Sequence, residues 1–315
     1  MNIGIDVGGT NLVAGLIGDS GEVFFKKKQP TRAREGYEAV LGRIEALVGQ
    51  MMAEMRGQSP ESVGIGVPGI VSADGKNVVS CPNLFWKNKP LKRDLEEKIH
   101  LPVYLANDAT VAGIAENRFG SSQGCRDAVM FTLGTGVGGS VILGGRVVNG
   151  VHGVASEFGH MIVGDGLYRC NCGKMGCLET YSSATAVIWL AKKRIEEGCE
   201  TEVLSMAGGD PEAVNAEMVI NAAKNGDAVG LECFRSMTDH LGTAISNLVD
   251  VLDPEICVLG GGVAHAGAFL LEAVQKSTVK KITYKSLVKP EIVLATLEND
   301  AGLVGASCIK EYLYD

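Results

Sequence analysis

Three glycine-rich turns constrain this chain more than any other feature, each placed at the end of a short apolar strand: Gly8-Gly9-Thr10, Gly134 to Gly139, and Gly260 to Gly262. Glycine carries no Cβ, so backbone N–H groups in such a turn can approach a bound group closely and converge on it. A chain of phosphates, with several negative charges to be met by donors, is the ligand that suits them. One such turn is ordinary hairpin chemistry; three on one chain point to a nucleotide. The 42 glycines among 315 residues lie beside apolar runs rather than in a low-complexity tract, which fits a globular protein with many tight turns.

Two other nucleotide devices are excluded by context. GxGxxG occurs at Gly64 to Gly69 and again at Gly134 to Gly139, but the dinucleotide fingerprint must open a helix. Here Val71 to Gly75 reads as a turn and Ser140 to Leu143 as a strand. No GxxxxGK followed by serine or threonine is present, so the P-loop mechanism is absent too. The formal net charge is −8 and no like-charge run is longer than three residues, Lys26 to Lys28 being one, so nucleic acid is not an expected partner. No apolar run of about 18 residues exists to cross a membrane, and Met1 leads straight into a strand pattern, so a cytoplasmic location is expected.

The opening predicts an antiparallel meander of Ile3 to Val7, Leu12 to Ile17 and Val23 to Phe25. From Tyr37, the apolar positions Val40, Leu41, Ile44, Leu47, Val48, Met51, Met52 and Met55 recur at three and four, which draws a stripe along one helix. A strand at Val63 to Val67, a helix through Leu91, Leu95 and Ile99, a strand at Pro102 to Ala106 and a helix over Ala109 to Glu116 follow. The second half offers strands at Ala128 to Leu133 and Ser140 to Leu143. A mostly helical stretch comes next, in which Asp210-Pro211 reads as a cap, and Asp253-Pro254 stops it. A strand at Ile256 to Leu259, a helix near Phe269 to Val279, a strand at Ile292 to Ala295 and a helix after Asp300 close the chain. Alternation of strands and helices makes the class α/β, with at least seven strands. Asp6 to Thr10 can be laid on Gly136 to Ser140, either because the two halves share one plan or because tight hairpins favour glycine in general.

Several residues could carry chemistry. Asp6 in the first turn is either a magnesium holder beside phosphates or a turn-forming aspartate. Asn107-Asp108 stands where a strand gives way to a helix, and the helix dipole keeps a carboxylate ionised there. That pair is either an N-cap or the base that accepts a hydroxyl proton during phosphoryl transfer to an alcohol. Nine cysteines without an export signal read as thiols or metal ligands. Cys170, Cys172 and Cys177 cluster near His160, a Cys3His set suited to closed, structural zinc; a reduced cluster, or His152 or Asp165 as the fourth ligand, are the alternatives. Glu179 is carried into the same neighbourhood and could accept hydrogen bonds from sugar hydroxyls, since each buried hydroxyl needs a partner.

With these motifs assembled, the chain resembles the ROK family of the hexokinase and actin-like superfamily nearly end to end. The resemblance rests on IDVGGTN at Ile5 to Asn11, PGIV at Pro68 to Val71, NDA at Asn107 to Ala109 and LGTGVGG at Leu133 to Gly139. It rests further on EFGH at Glu157 to His160, CNCGKMGCLE at Cys170 to Glu179, LGGGV at Leu259 to Val263 and NDAGLVGA at Asn299 to Ala306. It implies an ATP-dependent hexose kinase, glucokinase-like, with glucose as the first candidate and N-acetylmannosamine, fructose or allose as others. A sugar-binding regulator without catalysis is the rival class.

The resemblance assigns the base to Asp108 and the sugar to Gly69, Asn83, Asn107, Glu157, His160 and Glu179. It assigns the nucleotide with magnesium to Asp6, Gly8, Gly9, Thr10, Asn11, Gly134, Thr135, Gly136, Gly138, Gly261 and Gly262. Zinc falls to His160, Cys170, Cys172 and Cys177, with His160 serving the metal through its other ring nitrogen. Two actin-like, ribonuclease H-like lobes are implied, a small one from residues 1–118 and 300–315 and a large one from 119–299 holding the zinc loop and ATP site, in a homodimer or homotetramer. Ser156 departs from the glycine usual before that glutamate.

Overall fold

In the computed structural model, which describes residues 1–55, 57–287 and 290–314, the chain forms two compact units. The first comprises Met1–Arg126, Ser140–Ser156 and Thr296–Asp315, the second Asp127–Gly139 and Glu157–Ala295. Residues 119–126, 140–156 and 296–299, expected with the large lobe, lie in the first unit.

The first unit opens with β1 (Asn2–Val7), β2 (Asn11–Ile17) and β3 (Val23–Pro30). β1 and β2 form a hairpin in the register Ile3↔Leu16 and Val7↔Leu12, and β3 extends it antiparallel. The stripe predicted from Tyr37 onward becomes α1 (Tyr37–Glu54), whose Val40, Leu41, Ile44, Leu47, Val48 and Met51 are all buried. Each such side chain contributes about 1.5–3 kcal/mol by leaving water. β4 (Val63–Val67) runs parallel to β1 and is buried at every residue. β5 (Ile70–Val71), β6 (Val78–Cys81) and β7 (Trp86–Lys89) then form a small antiparallel sheet that the sequence pattern did not announce. After α2 (Leu91–Ile99), β8 (Val103–Asn107) pairs parallel with β4 and delivers the chain into α3 (Asp108–Phe119).

β9 (Ala128–Leu133), β10 (Val137–Leu143) and β11 (Arg146–Val147) start a second sheet. The second unit continues with α4 (Glu179–Ser182), α5 (Ala184–Glu196), α6 (Glu202–Met206), α7 (Ala216–Asn225) and α8 (Ala228–Leu252). Asp227 caps α8 by accepting from the Gly230 N–H at 2.8 Å, and Asp253 ends it in the left-handed conformation at φ 46°. Asp210-Pro211 opens only a three-residue 3-10 turn, Pro211–Ala213; Asn215, accepting from Met218 N–H at 2.9 Å, is the cap that starts the next α-helix. β12 (Ile256–Gly260), α9 (Ala268–Lys281) and β13 (Glu291–Leu294) follow, and α10 (Ala301–Ser307) and α11 (Ile309–Leu313) return to the first unit.

The strand orders are β3-β2-β1-β4-β8 and β11-β10-β9-β12-β13. Each sheet is an antiparallel hairpin followed by two parallel strands, so one plan is used twice. The register of the repeat differs from the one the sequence suggested. β1 ends at Val7 and β2 starts at Asn11, while β9 ends at Leu133 and β10 starts at Val137. Gly8 therefore corresponds to Gly134, and Gly138 and Gly139 belong to a strand rather than to the turn.

In the first unit α10 crosses the sheet at unusually close range. A Cβ at Gly4 would lie 1.9 Å from the Leu303 carbonyl oxygen, and one at Gly64 would lie 1.7 Å from that of Ala306. Two glycines on adjacent strands thus set the helix-to-sheet distance, which in turn fixes the groups at the strand ends.

Candidate active site

The β1–β2 turn closes through Gly8 N–H donating to the Asn11 carbonyl at 2.8 Å, leaving Gly9 and Thr10 exposed. The Thr31 hydroxyl donates to the Gly8 carbonyl at 2.6 Å and the Thr31 N–H to that of Thr10 at 2.8 Å, so the turn is braced by the residue that follows β3. Asp6, one residue from the end of β1, sits against the first turn of α10, where a Cβ at Gly302 would be 3.1 Å from its carboxyl. Burial pushes the Asp6 carboxyl above its ordinary pKa. A desolvated carboxylate beside an exposed glycine turn fits a site for a hydrated cation.

From that turn the groups run continuously through the first unit. A Cβ on Gly9 would touch the Asn83 Cβ at 3.4 Å, and Asn83 is exposed on the Pro82–Leu84 turn. Preceding it, the Cys81 thiol donates to the Pro68 carbonyl at 3.3 Å, and a Cβ on Gly69 would lie 2.3 Å from the Ser80 carbonyl oxygen. The Gly69 carbonyl accepts from Asn107 Nδ2 at 3.2 Å. Asn107 meanwhile caps α3, its Oδ1 accepting from the Ala109 and Thr110 N–H groups at 2.9 and 3.3 Å. With both ends of its amide engaged, Asn107 fixes the entry to the helix. Asp108 is exposed at the first position of α3 and accepts from Ala109 N–H at 2.8 Å, so the positive end of the helix faces its carboxylate.

In the second unit the turn after β9 is held by Gly134 N–H to Gly136 carbonyl at 3.0 Å, Ala184 N–H to Gly134 carbonyl at 2.8 Å and Thr185 hydroxyl to Thr135 carbonyl at 2.7 Å. Gly261, at φ 84°, packs under it, where a Cβ would lie 2.6 Å from the Leu133 carbonyl oxygen. A pocket of about 530 Å³ opens above, and Gly134, Thr135 and Gly262 are among its walls. α7 supplies a wall that sequence reasoning missed, with Glu217, Ile220, Asn221 and Lys224 recurring at helical spacing; His265 adds another side chain. Gly138 lies in β10, outside this pocket lining.

Glu179 joins the turn to the cysteine loop. A Cβ at Gly136 would come within 2.9 Å of its Oε2, while its Oε1 accepts from the Cys170 thiol at 2.9 Å. His160 Nδ1 is 3.7 Å from Cys170 Sγ and 3.8 Å from Glu179 Oε1, and Cys172 Sγ is 3.5 Å from Cys177 Sγ. One donor atom from each of His160, Cys170, Cys172 and Cys177 lies within 4.8 Å of the other three. Zinc–sulfur bonds of about 2.3 Å at tetrahedral angles put donors about 3.8 Å apart, so these residues fit zinc. The ring nitrogen turned to the cysteines is Nδ1, which leaves Nε2 for another partner. Burial, and then the hydrogen bond to Glu179, push the Cys170 thiol upward; burial also raises Cys177, whereas a backbone amide lowers Cys172. Glu157 is exposed and its carbonyl accepts from the His160 N–H at 3.0 Å across the Phe158–His160 turn. His152 and Asp165 are outside the four-residue cluster.

A sequence profile described as the ROK family matches residues 2–311. The chain belongs to the ROK family. Glucokinase from Streptomyces coelicolor is 34% identical, covering 98% of this chain and 96% of the relative. Glucokinase from Halalkalibacterium halodurans is 35% identical over 96% of this ROK chain and 92% of its own length. Among solved structures, a ROK family glucokinase from Streptomyces griseus in complex with glucose and AMPPNP is 35% identical, with 97% of each chain covered and a TM-score of 0.81. The actin-like α/β architecture expected from the motifs is therefore that of this ROK protein. No helix among the described residues is long and apolar enough to cross a membrane.

Proposed function

We propose that this chain transfers the γ-phosphoryl group of ATP to the 6-hydroxyl of glucose. In this reading Asp108 accepts the hydroxyl proton as the sugar oxygen bonds to the γ-phosphorus, the bond to the β–γ bridging oxygen breaks, and ADP leaves. Gly69, Asn83, Asn107, Glu157, His160 and Glu179 hold the sugar; each pairs a hydroxyl that would otherwise be left unmatched. Gly8, Gly9, Thr10 and Asn11 serve the phosphates from one turn and Gly134, Thr135 and Gly136 from its counterpart. Gly261 supports that second turn and Gly262 lines the pocket above it, while α7 flanks the nucleoside end. Asp6 would hold magnesium, which neutralises developing phosphate charge when bound. Structural zinc on His160, Cys170, Cys172 and Cys177 would orient His160 and the Glu179 loop.

The observation that carries the reading is the contact of Gly136 with Glu179, which sets a phosphate-type turn against a carboxylate suited to a polyol. A scaffold that only hydrolysed ATP would have no use for that carboxylate. The near full-length likeness to glucokinases supports glucose, and a coupled ATP assay over glucose, N-acetylmannosamine, fructose and allose tests it. Highest kcat/KM on another hexose would reassign the substrate; no turnover on any would favour a sugar-binding regulator. The same proposal includes a homodimer or homotetramer, read by light scattering, and a cytoplasmic location.

A further inference from the structure

The first unit holds a second cavity, of about 480 Å³, that none of the roles above employs. Its walls include Arg34, Tyr37, Phe85, Trp86 and Lys89. Tyr37 and Trp86 meet edge to face, centroids 5.2 Å apart at 81°, and Tyr37 is pinned by its hydroxyl donating to Asp94 at 2.9 Å. Phe85 is 69% exposed and its backbone is left-handed at φ 58°, a conformation that costs a non-glycine residue about 1–2 kcal/mol. An aromatic ring is thus held out to solvent at a cavity already floored by two more. Flat apolar faces of this kind suit the C–H face of a pyranose.

Polar features of the same cavity point to charge on the ligand. Lys89 Nζ stands 4.9 Å from the centre of the Tyr37 ring. Two of the nearby acids are engaged elsewhere, Glu35 by Arg32 and Arg43, and Asp94 by Tyr37 and Arg93, while Glu38 also acts on the Tyr37 hydroxyl. Among the described residues, neither Arg34 nor Lys89 has an ion pair. Trp86 is only 3% exposed, and its indole N–H has no acceptor. A buried donor left so costs about 1–3 kcal/mol. Two cations without an ion pair and an aromatic floor ask for an anionic oxygen-rich group on an apolar ring. Asn83, next to Leu84 and Phe85, connects the cavity to the Gly9 turn.

We propose that this cavity is a second ligand site that takes a sugar phosphate, the phosphate on Arg34 and Lys89 and the ring against Tyr37, Trp86 and Phe85. The identity of the ligand rests on the proposed reaction, whose product, a hexose 6-phosphate, has this chemistry. Occupancy restrains the Pro82–Leu84 turn and so acts on sugar binding through Asn83, giving the product a way to raise the KM for glucose.

Trp86 and Trp189 are the two tryptophans of the chain, so the Trp189→Phe protein reports on the cavity by fluorescence. Glucose 6-phosphate, inorganic phosphate and glucose are titrated separately into this protein and into the same protein carrying Arg34→Gln and Lys89→Gln. The expected result is a saturable change with glucose 6-phosphate that weakens at least about tenfold in the double variant, while turnover at saturating glucose and ATP is retained; Arg34→Lys should recover part of the affinity. An undiminished response in the double variant would place the ligand at the ordinary sugar site and overturn the proposal. So would equal affinity for inorganic phosphate, which means an adventitious ion only, or no response at all. Lack of glucose turnover in the parent protein would sink the proposed reaction while leaving a charge-dependent response to glucose 6-phosphate standing, so the two failures are distinct.

Discussion

Ser156→Gly should stabilise the protein, although most substitutions do the reverse. Ser156 is left-handed at φ 66°, and its hydroxyl is buried with no hydrogen-bond partner. The backbone conformation costs a non-glycine residue about 1–2 kcal/mol, and the unmatched hydroxyl adds about 1–3 kcal/mol. Glycine removes both but loses about 0.5–1 kcal/mol through the freer unfolded chain. The net gain is about 1–4.5 kcal/mol, and at about 3 °C per kcal/mol for a unit of this size the melting transition should rise by about 3–13 °C. Differential scanning calorimetry measures it, with Ser156→Ala as the control that removes the hydroxyl but keeps the left-handed backbone. Alanine should therefore recover only the hydroxyl share. A glycine variant that melts at or below the parent, or an alanine variant that gains as much, would refute the strain argument. Because Glu157 follows directly, a changed KM for glucose in Ser156→Gly with kcat unaltered would show that the strain also aims that carboxylate.

Asp108→Asn should lower kcat by about 10²–10⁴ while leaving sugar affinity within a few-fold, measured by coupled assay and calorimetric titration; near-normal turnover would reduce Asp108 to a helix residue without chemistry. Metal analysis should find about one zinc per chain, and Cys172→Ser should release it and lower the melting temperature; a metal-free, fully active protein would remove zinc from the account. Gly64→Ala should destabilise the first unit by about 3 kcal/mol or more in urea unfolding, because its Cβ would lie 1.7 Å from the Ala306 carbonyl oxygen and α10 would have to move; a loss under about 1 kcal/mol would mean that α10 is loosely held.

The parts of the fold legible in the sequence are those written in local periodicity. The α1 stripe from Val40 to Met51, the buried run Val63 to Val67 and the β1–β2 hairpin each combine a regular apolar pattern with a clear stop, and each stands where expected. β5 to β7 were not legible, because strands of two to four residues such as Trp86-Lys87-Asn88-Lys89 carry too few side chains to show alternation. The glycine turns were visible as clusters, yet the part α7 plays was not, because Glu217, Asn221 and Lys224 look like any solvated helix face until tertiary structure sets them around a pocket. Asp210-Pro211 does cap a helical turn as expected, but only a short one. Both residues are good helix starters, but Asn215 captures the next helix and leaves only a 3-10 turn before it.

The misplaced repeat shows most plainly what local pattern lacks. Matching Val-Gly-Gly to Val-Gly-Gly aligned Gly8 with Gly138, since residue identity was the only guide. Strand ends give a different answer, with Gly8 equivalent to Gly134, and the backbone explains why the lettering drifted. The first turn is braced by Thr31, just past the end of a neighbouring strand, whereas the second is braced by Ala184 and Thr185 at the start of a helix and underlain by Gly261. Different supports make different demands on side chains, so two turns of one plan need not share a sequence. What they share is a backbone free to approach a ligand and a carboxylate near each, Asp6 at one and Glu179 at the other. Burial raises the Asp6 carboxyl, while Glu179 is tied to the thiol of Cys170. In the proposed reading, one plan of turn would serve metal beside Asp6 and sugar beside Glu179, a division that follows from the neighbours of each turn.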